Sequence, residues 1–360
     1  MTRGSARGTS DTGDVAALDA RGSRRERLRE LMDHRGLGAM VLRRPANFAW
    51  YTGGGDSRVD HASPDGVADV VVCRDGDYVV TSNIEAPRMR TEQARGLEVI
   101  EYPWYGDRAA PVRELVGGPA FGADAAIEGA VDVSGSVAEL RQVLDPDAAQ
   151  RLRSVGRDAT AAMADAAAAV EAGISEFDAA AGLAAACKRR GLSATVLLAA
   201  ADERICQHRH PVPVGACIER RAMLVASAER GGLYANLTRI VELDEPDPEL
   251  ARRVAACEEI LARMREEATR PGRTLAEAFL DCQRFYREAG YPDEWMRHHQ
   301  GGSTGYGSRE VIATPSTPDP IRVGQAFAWN PSIAGAKAEE TFLLTEGGPE
   351  VVAGGAVSPA

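Results

Sequence analysis

The spacing of apolar and polar positions divides the chain into two halves written in different ways. In the first half, residues 24–34 place Leu28, Leu31 and Met32 on one face and stop before Gly36, which predicts a short amphipathic helix with a glycine cap. Residues 38–42 are continuously apolar and read as a buried strand. Residues 70–74 and 78–82 flank Asp75-Gly76, two turn residues that tolerate positive φ, so a hairpin is expected there. A helix over 85–94 and a strand over 97–102 follow, and residues 47–51 run into Thr52-Gly-Gly-Gly55, a loop of close backbone approach. Residues 23–140 therefore predict an α/β domain, with 140–145 as the linker behind it. Residues 1–22 are rich in Arg, Gly, Ser, Thr and Asp and read as a disordered tail without a signal sequence.

The second half reads as one unit written twice. An alanine-rich helix over about 147–172 is followed by a second helix, opened by Ser175 with Asp178 in capping-box spacing and closed by Gly191. A helix from Asp247-Pro248 to about 267 places Leu250, Val254, Cys257 and Leu261 on one face. The helix after it is capped by Thr274 with Glu277 and stopped by Gly290 and Pro292. Each helix pair leads to a histidine cluster, and each cluster to a two-strand pattern. Residues 223–227 turn through Gly231-Gly232 into 234–238, and 327–330 turn through Ala334-Gly335 into 339–341. Ser227 precedes Asn236 by nine residues, Asn330 precedes Glu339 by nine, and a threonine follows two residues later both times. The repeat predicts a pseudo-two-fold domain over 147–355 with its site on the axis.

Composition narrows the class. The chain has 360 residues, 44% hydrophobic, and a formal charge of −11, which suits a soluble globular protein and argues against a nucleic-acid surface. The longest apolar run is broken by Asp165, so no membrane span is expected. Six cysteines lie at spacings that suit neither a metal nor a redox pair, which fits a reduced, cytoplasmic protein. Histidine is scarce, yet four of the six sit as His208/His210 and His298/His299, the second pair running into four glycines within nine residues and then Arg309-Glu310. An irregular glycine-rich loop beside imidazoles is where backbone approaches a ligand.

These residues resemble the pita-bread family of methionine aminopeptidase, Xaa-Pro dipeptidases, aminopeptidase P and creatinase. The likeness covers nearly the whole chain from residue 23. The run from Asn47 to Gly53 is similar to the creatinase/prolidase N-domain motif. Leu237-Thr238-Arg239 resembles the family's Asp-Ile-Thr-Arg strand, Glu339-Glu-Thr341 its Glu-Asp-Thr, and His299-Gln-Gly-Gly302 its His-Gly-x-Gly, while His210-Pro211 falls at a substrate-site histidine. The resemblance implies a creatinase-like α/β domain before a pita-bread domain, and a homodimer in which Trp50, Tyr51, Asp60 and His61 reach the partner's pocket. The family's peptidases hold two divalent metals through Asp, Asp, His, Glu and Glu. The matching positions here read Ser227, Asn236, His299, Asn330 and Glu339. Three of five have lost their charge, too many to offset two hard dications.

The expectation is therefore a hydrolase of a C–N bond in a small amino-acid-like or amidine substrate, with neither metal nor cofactor. Imidazole moves the proton, as the resemblance to creatinase implies for His210. His299, Glu310 and Glu339 complete the expected catalytic group. His208, Asn236, Asn330, Tyr306, Arg309, Trp295 and Trp329 are expected to contact substrate, aromatic rings by stacking and arginine by pairing with a carboxylate. A single ion on His299, Glu310 and Glu339, a metallopeptidase with atypical ligands, and a non-catalytic binding protein are the competing readings.

Overall fold

A computed structural model describes residues 11–354 except 119 and 246, and its contacts divide the chain into residues 1–141 with 145–148, and residues 142–144 with 149–360. The first unit is built on a six-stranded mixed sheet, in the order Glu98–Tyr102, Asp77–Ser82, Ala68–Cys73, Ala39–Leu42, Phe121–Ala123, Val131–Asp132. The Asp75-Gly76 hairpin is present, with Val72 opposite Asp77. Ala68–Cys73 is buried at every position, as a strand covered on both faces must be. Its one charge, Asp69, is clasped by Arg43 at 2.8 Å and Arg108 at 2.7 Å, so the burial is paid for in hydrogen bonds.

Two expectations for this unit change. The helix that begins the described chain spans Asp11–Arg35, so of the tail expected through residue 22 only 1–10 lie outside the described residues. Alanine and leucine between Val15 and Ala20 extend the helical pattern back into that segment. Residues 45–52 form a helix started by Pro45, and it buries Trp50 and Tyr51. The Tyr51 hydroxyl donates to Asp77 at 2.6 Å. Neither ring is free to reach a partner's pocket, whereas Asp60 and His61 are exposed.

In the second unit the capping boxes form as spaced, Ser175 with Asp178 and Thr274 with Glu277, opening helices Glu176–Arg189 and Leu275–Glu288. Ser193–Ala201, Arg221–Arg230 and Leu233–Glu242 form one antiparallel sheet, turned at Gly231-Gly232 with positive φ at both glycines. The second sheet runs Val311–Ile312, Gly301–Thr304, Ala326–Trp329, Glu340–Thr345, Gly348–Ala353. A small hairpin, Ser332–Ile333 with Ala336–Lys337, is inserted between its third and fourth strands. The two sheets meet at the matched polar positions. Asn236 N donates to Thr341 Oγ1 at 2.8 Å, and that hydroxyl donates to Asn236 O at 3.0 Å. All six cysteines are free thiols, and among the described residues no helix is long and apolar enough to cross a membrane.

Candidate active site

The repeat carries polar side chains from both sheets to one chamber of about 230 Å³ in the second unit. His210 and His299 line it with Ser227, Asn330, Arg309, Lys337 and Glu339. His210 comes from the loop after helix Glu203–Gln207, and His298 and His299 from a bend that precedes strand Gly301–Thr304. Gly301 makes this approach possible. Its φ is +99°, and a Cβ there would stand 2.0 Å from Ala328 O on the neighbouring strand. Gly301→Ala is expected to cost at least about 2 kcal/mol by thermal unfolding, since strain and overlap act together.

Glu339 is the electrostatic centre. Arg309 Nη2 donates to Oε1 at 2.7 Å, and Oε2 accepts from Thr238 Oγ1 at 2.7 Å with Lys337 Nζ at 3.1 Å. Burial opposes ionisation, but Lys337, Arg309 and the Thr238 hydroxyl outweigh it and hold the carboxyl at about 2. The chamber lining carries two cations and one anion. Opposite them, His210 Nε2 and His298 Nε2 are 2.8 Å apart, and His298 stacks on His299 with ring centroids 4.5 Å apart. Burial and the charge of Lys337 lower His298 to about 2, burial and Arg309 lower His299 to about 4, and burial lowers His210. At neutral pH all three rings are uncharged.

Asn236 lies behind the wall, its Oδ1 accepting from Ser227 Oγ at 2.6 Å and its Nδ2 donating to Thr304 and Ser308. Asn330 Oδ1 is buried without a partner on the chamber. Other expected site residues are placed elsewhere. Trp329 is fully buried in the hydrophobic core, its Nε1 donating to Thr269 at 2.9 Å. Trp295 packs edge-on against Phe279. Tyr306 is buried, and its hydroxyl accepts from Arg151. The Glu310 side chain lies against Gly305 and Gly307, and among the described residues it does not gather with His299 and Glu339 into a set of candidate metal ligands. His208 is exposed. Arg309 pairs with Glu339, leaving its neighbour Glu310 to the glycine turn.

The sequence does not single out Lys337, and it places His298 only as a member of a histidine cluster at the site, with no role of its own. Lys337 stands two positions before Glu339 at the end of a strand, and alternation puts the two side chains on one side. That signal was present but was masked by the rarity of buried lysine.

A repeated helix-pair and two-strand unit that gathers polar side chains in one chamber, preceded by a mixed α/β unit, defines a pita-bread protein. Residues 150–346 match metallopeptidase family M24, and residues 24–187 match the creatinase/prolidase N-terminal domain. The chain belongs to metallopeptidase family M24, whose chemistry is the hydrolysis of C–N bonds. The fold is similar to that of the prolidase from Pyrococcus furiosus, with 18% identity, TM-score 0.75, and 91% of this chain and 99% of that one covered. It is also similar to the Xaa-Pro dipeptidase from Bacillus anthracis, with 20% identity, TM-score 0.76, and 94% and 98% covered. The N-terminal domain of a FACT complex subunit from Cicer arietinum (chickpea) shares it too, with 12% identity, TM-score 0.71, and 93% and 96% covered. Comparison with curated protein sequences finds no match. At these identities the likeness establishes the fold, and the chemistry has to be argued from the chamber.

The family name implies metal, and the side chains at the expected ligand positions do not suit a carboxylate-bridged pair of ions. Ser227 and Asn236 satisfy each other, Asn330 is neutral, and Glu339 already neutralises one of two adjoining cations. A dication there would face Lys337 and Arg309 with a single carboxylate to offset it.

Proposed function

We propose that this chain is a metal-independent hydrolase of a C–N bond in a small, amino-acid-like or amidine substrate that carries a carboxylate. The observation that supports this most is the clasp of Lys337 and Arg309 on Glu339, which puts fixed positive charge where a dinuclear peptidase needs anionic ligands. The chamber is smaller than the usual ligand pocket, which suits a small molecule.

His210 is the acid/base. Its Nε2 is engaged by His298, so Nδ1 is the nitrogen left to exchange a proton with water. With His210 donating through Nε2, the Nδ1 lone pair takes a proton as the water oxygen adds to the electrophilic carbon. Lys337 or Arg309 stabilises the negative charge that develops on the heteroatom of that carbon. The imidazolium then returns the proton to the leaving nitrogen, and the C–N bond breaks. His299 contacts the substrate from the same wall. Glu339 touches no reacting atom in this scheme and acts by positioning the two cations.

A ligand-induced thermal-shift screen of small carboxylates, amidines and dipeptides, followed by mass spectrometry of the binders, identifies the substrate. Turnover of that compound is expected to survive exhaustive dialysis against chelator. Loss of turnover that Mn²⁺, Co²⁺ or Zn²⁺ restores would refute the proposal.

A further inference from the structure

His210 is carried by a segment with little support from the main chain. His208 N donates to Arg204 O before it, and Ala216 O accepts from Glu176 N after it. Between them, among the described residues, no hydrogen bond from main chain to main chain holds 209–215. Pro211 and Pro213 have no N–H to give. Packing adds little, because Pro211 is buried but Val212 and Val214 are 64% and 62% exposed.

One carboxylate takes the place of that support. Glu176, the first residue of helix Glu176–Arg189, is fully buried. Its Oε1 accepts from Ala201 N and its Oε2 from Val214 N, both at 2.9 Å. The chain leaves strand Ser193–Ala201 at the first of these bonds and returns at the second. The excursion 202–213, which bears His210, is therefore pinned at both ends to one side chain. Arg204 pairs with Oε1 through Nη1, and its Nη2 donates to Val212 O at 3.0 Å. Burial opposes the charge on Glu176, but the N–H groups of Val214 and Ala201 and the Arg204 guanidinium outweigh it and hold the carboxyl below its usual value. Glutamine would not serve, since it has one acceptor oxygen and would turn its NH₂ towards one of the two N–H groups. Arg209 pairs with Glu294 and His210 meets His298, but neither contact reaches the return leg 212–214.

We propose that Glu176 is a positioning residue for His210, its carboxylate and Arg204 tethering 208–215 so that the imidazole stays at the chamber wall. Neither Glu176 nor Arg204 is among the residues that line the chamber, so both act through His210. The catalytic consequence rests on the hydrolase reading, whereas the tether can be tested without substrate.

Hydrogen–deuterium exchange of the full-length protein is followed at the Val214 amide. That amide should be protected in wild type. Glu176→Gln should speed its exchange about tenfold while helix Leu275–Glu288 exchanges as before. With a compound that the wild type turns over, Glu176→Gln should lower kcat about tenfold to a hundredfold, as a small misplacement of a reacting group does. KM should change less than about threefold, because Lys337 and Arg309 lie on other elements. In His210→Ala the same substitution should lower kcat no further, whereas lost stability alone would lower it equally in both backgrounds. Arg204→Lys keeps a cation beside Glu176 but loses the arm to Val212 O. It should show the same pattern at smaller size, and it carries the test if Glu176→Gln does not fold. The proposal fails if Val214 exchanges in the folded variants as in wild type, or if Glu176→Gln lowers kcat as much in His210→Ala as in wild type. Full kcat in His210→Ala would instead take the proton transfer away from His210 and strike that part of the hydrolase reading. A Val214 amide freed by Glu176→Gln would then leave the tether standing without its catalytic role.

Discussion

Glu339→Ala is expected to destabilise the second unit by about 3–5 kcal/mol, the loss seen when one partner of a buried ion pair is removed. The substitution strands Lys337 and Arg309, whose side chains are 4% and 14% exposed, and leaves the Thr238 hydroxyl without its acceptor. A unit of this size should then melt roughly 10 °C lower. The pH dependence has a definite sign. The Glu339 carboxyl is lowered from 4.5 to about 2. Its stabilisation is therefore fully present above about 4.5 and is lost as pH falls from there towards about 2. A shift of that size corresponds to about 3 kcal/mol, in line with the mutational figure. Wild type should lose stability steeply across this window, and Glu339→Ala should show a shallower slope in acid denaturation. Adding Lys337→Met to Glu339→Ala should recover part of the loss, because one stranded charge is gone. Equal slopes for wild type and Glu339→Ala would mean that the clasp does not hold the carboxylate ionised.

His210→Ala is expected to lower turnover by about 10²–10⁴, the range that a positioned acid/base supplies. His210 is only partly covered and the side-chain hydrogen bond it would lose is the one to His298, so stability should fall by no more than about 1 kcal/mol and the loss would be chemical. Binding of the substrate's carboxylate should persist, because Lys337 and Arg309 remain in place. His210→Ala would then reduce kcat far more than it alters KM. A variant with full kcat would shift the proton-transfer role to His299, the other imidazole lining the chamber.

Local sequence signals carried much of this arrangement. The Asp75-Gly76 turn and the Ser175 and Thr274 capping boxes act over two to four residues, where side-chain chemistry alone decides geometry. The two nine-residue spacings worked because strand period fixes which residues share a face, and they put Ser227 directly opposite Asn236. The aromatic residues were harder to read. A tryptophan next to a polar strand end has the same sequence signature in a pocket wall as in a core. Trp329 belongs to the core because its face of the strand packs into the cluster with Phe279 and Phe285 of helix Leu275–Glu288, where its Nε1 donates to Thr269. His298 is visible in the sequence as half of a histidine pair; strand alternation would set it opposite His299, but a bend at His298 breaks the pleat and lets the rings stack. The partner of Arg309 is 30 residues away in the chain, and no local rule could have chosen it over Glu310.

The ammonium of Lys337 and the guanidinium of Arg309 have a wider implication. A site that recruits its positive charge from solution depends on the supply of dissolved ions and can be starved of it. Here the charge is covalently attached to the polypeptide, synthesised with it and impossible to wash out. A cell short of manganese or cobalt would still make both of these side chains in full, one for every chain.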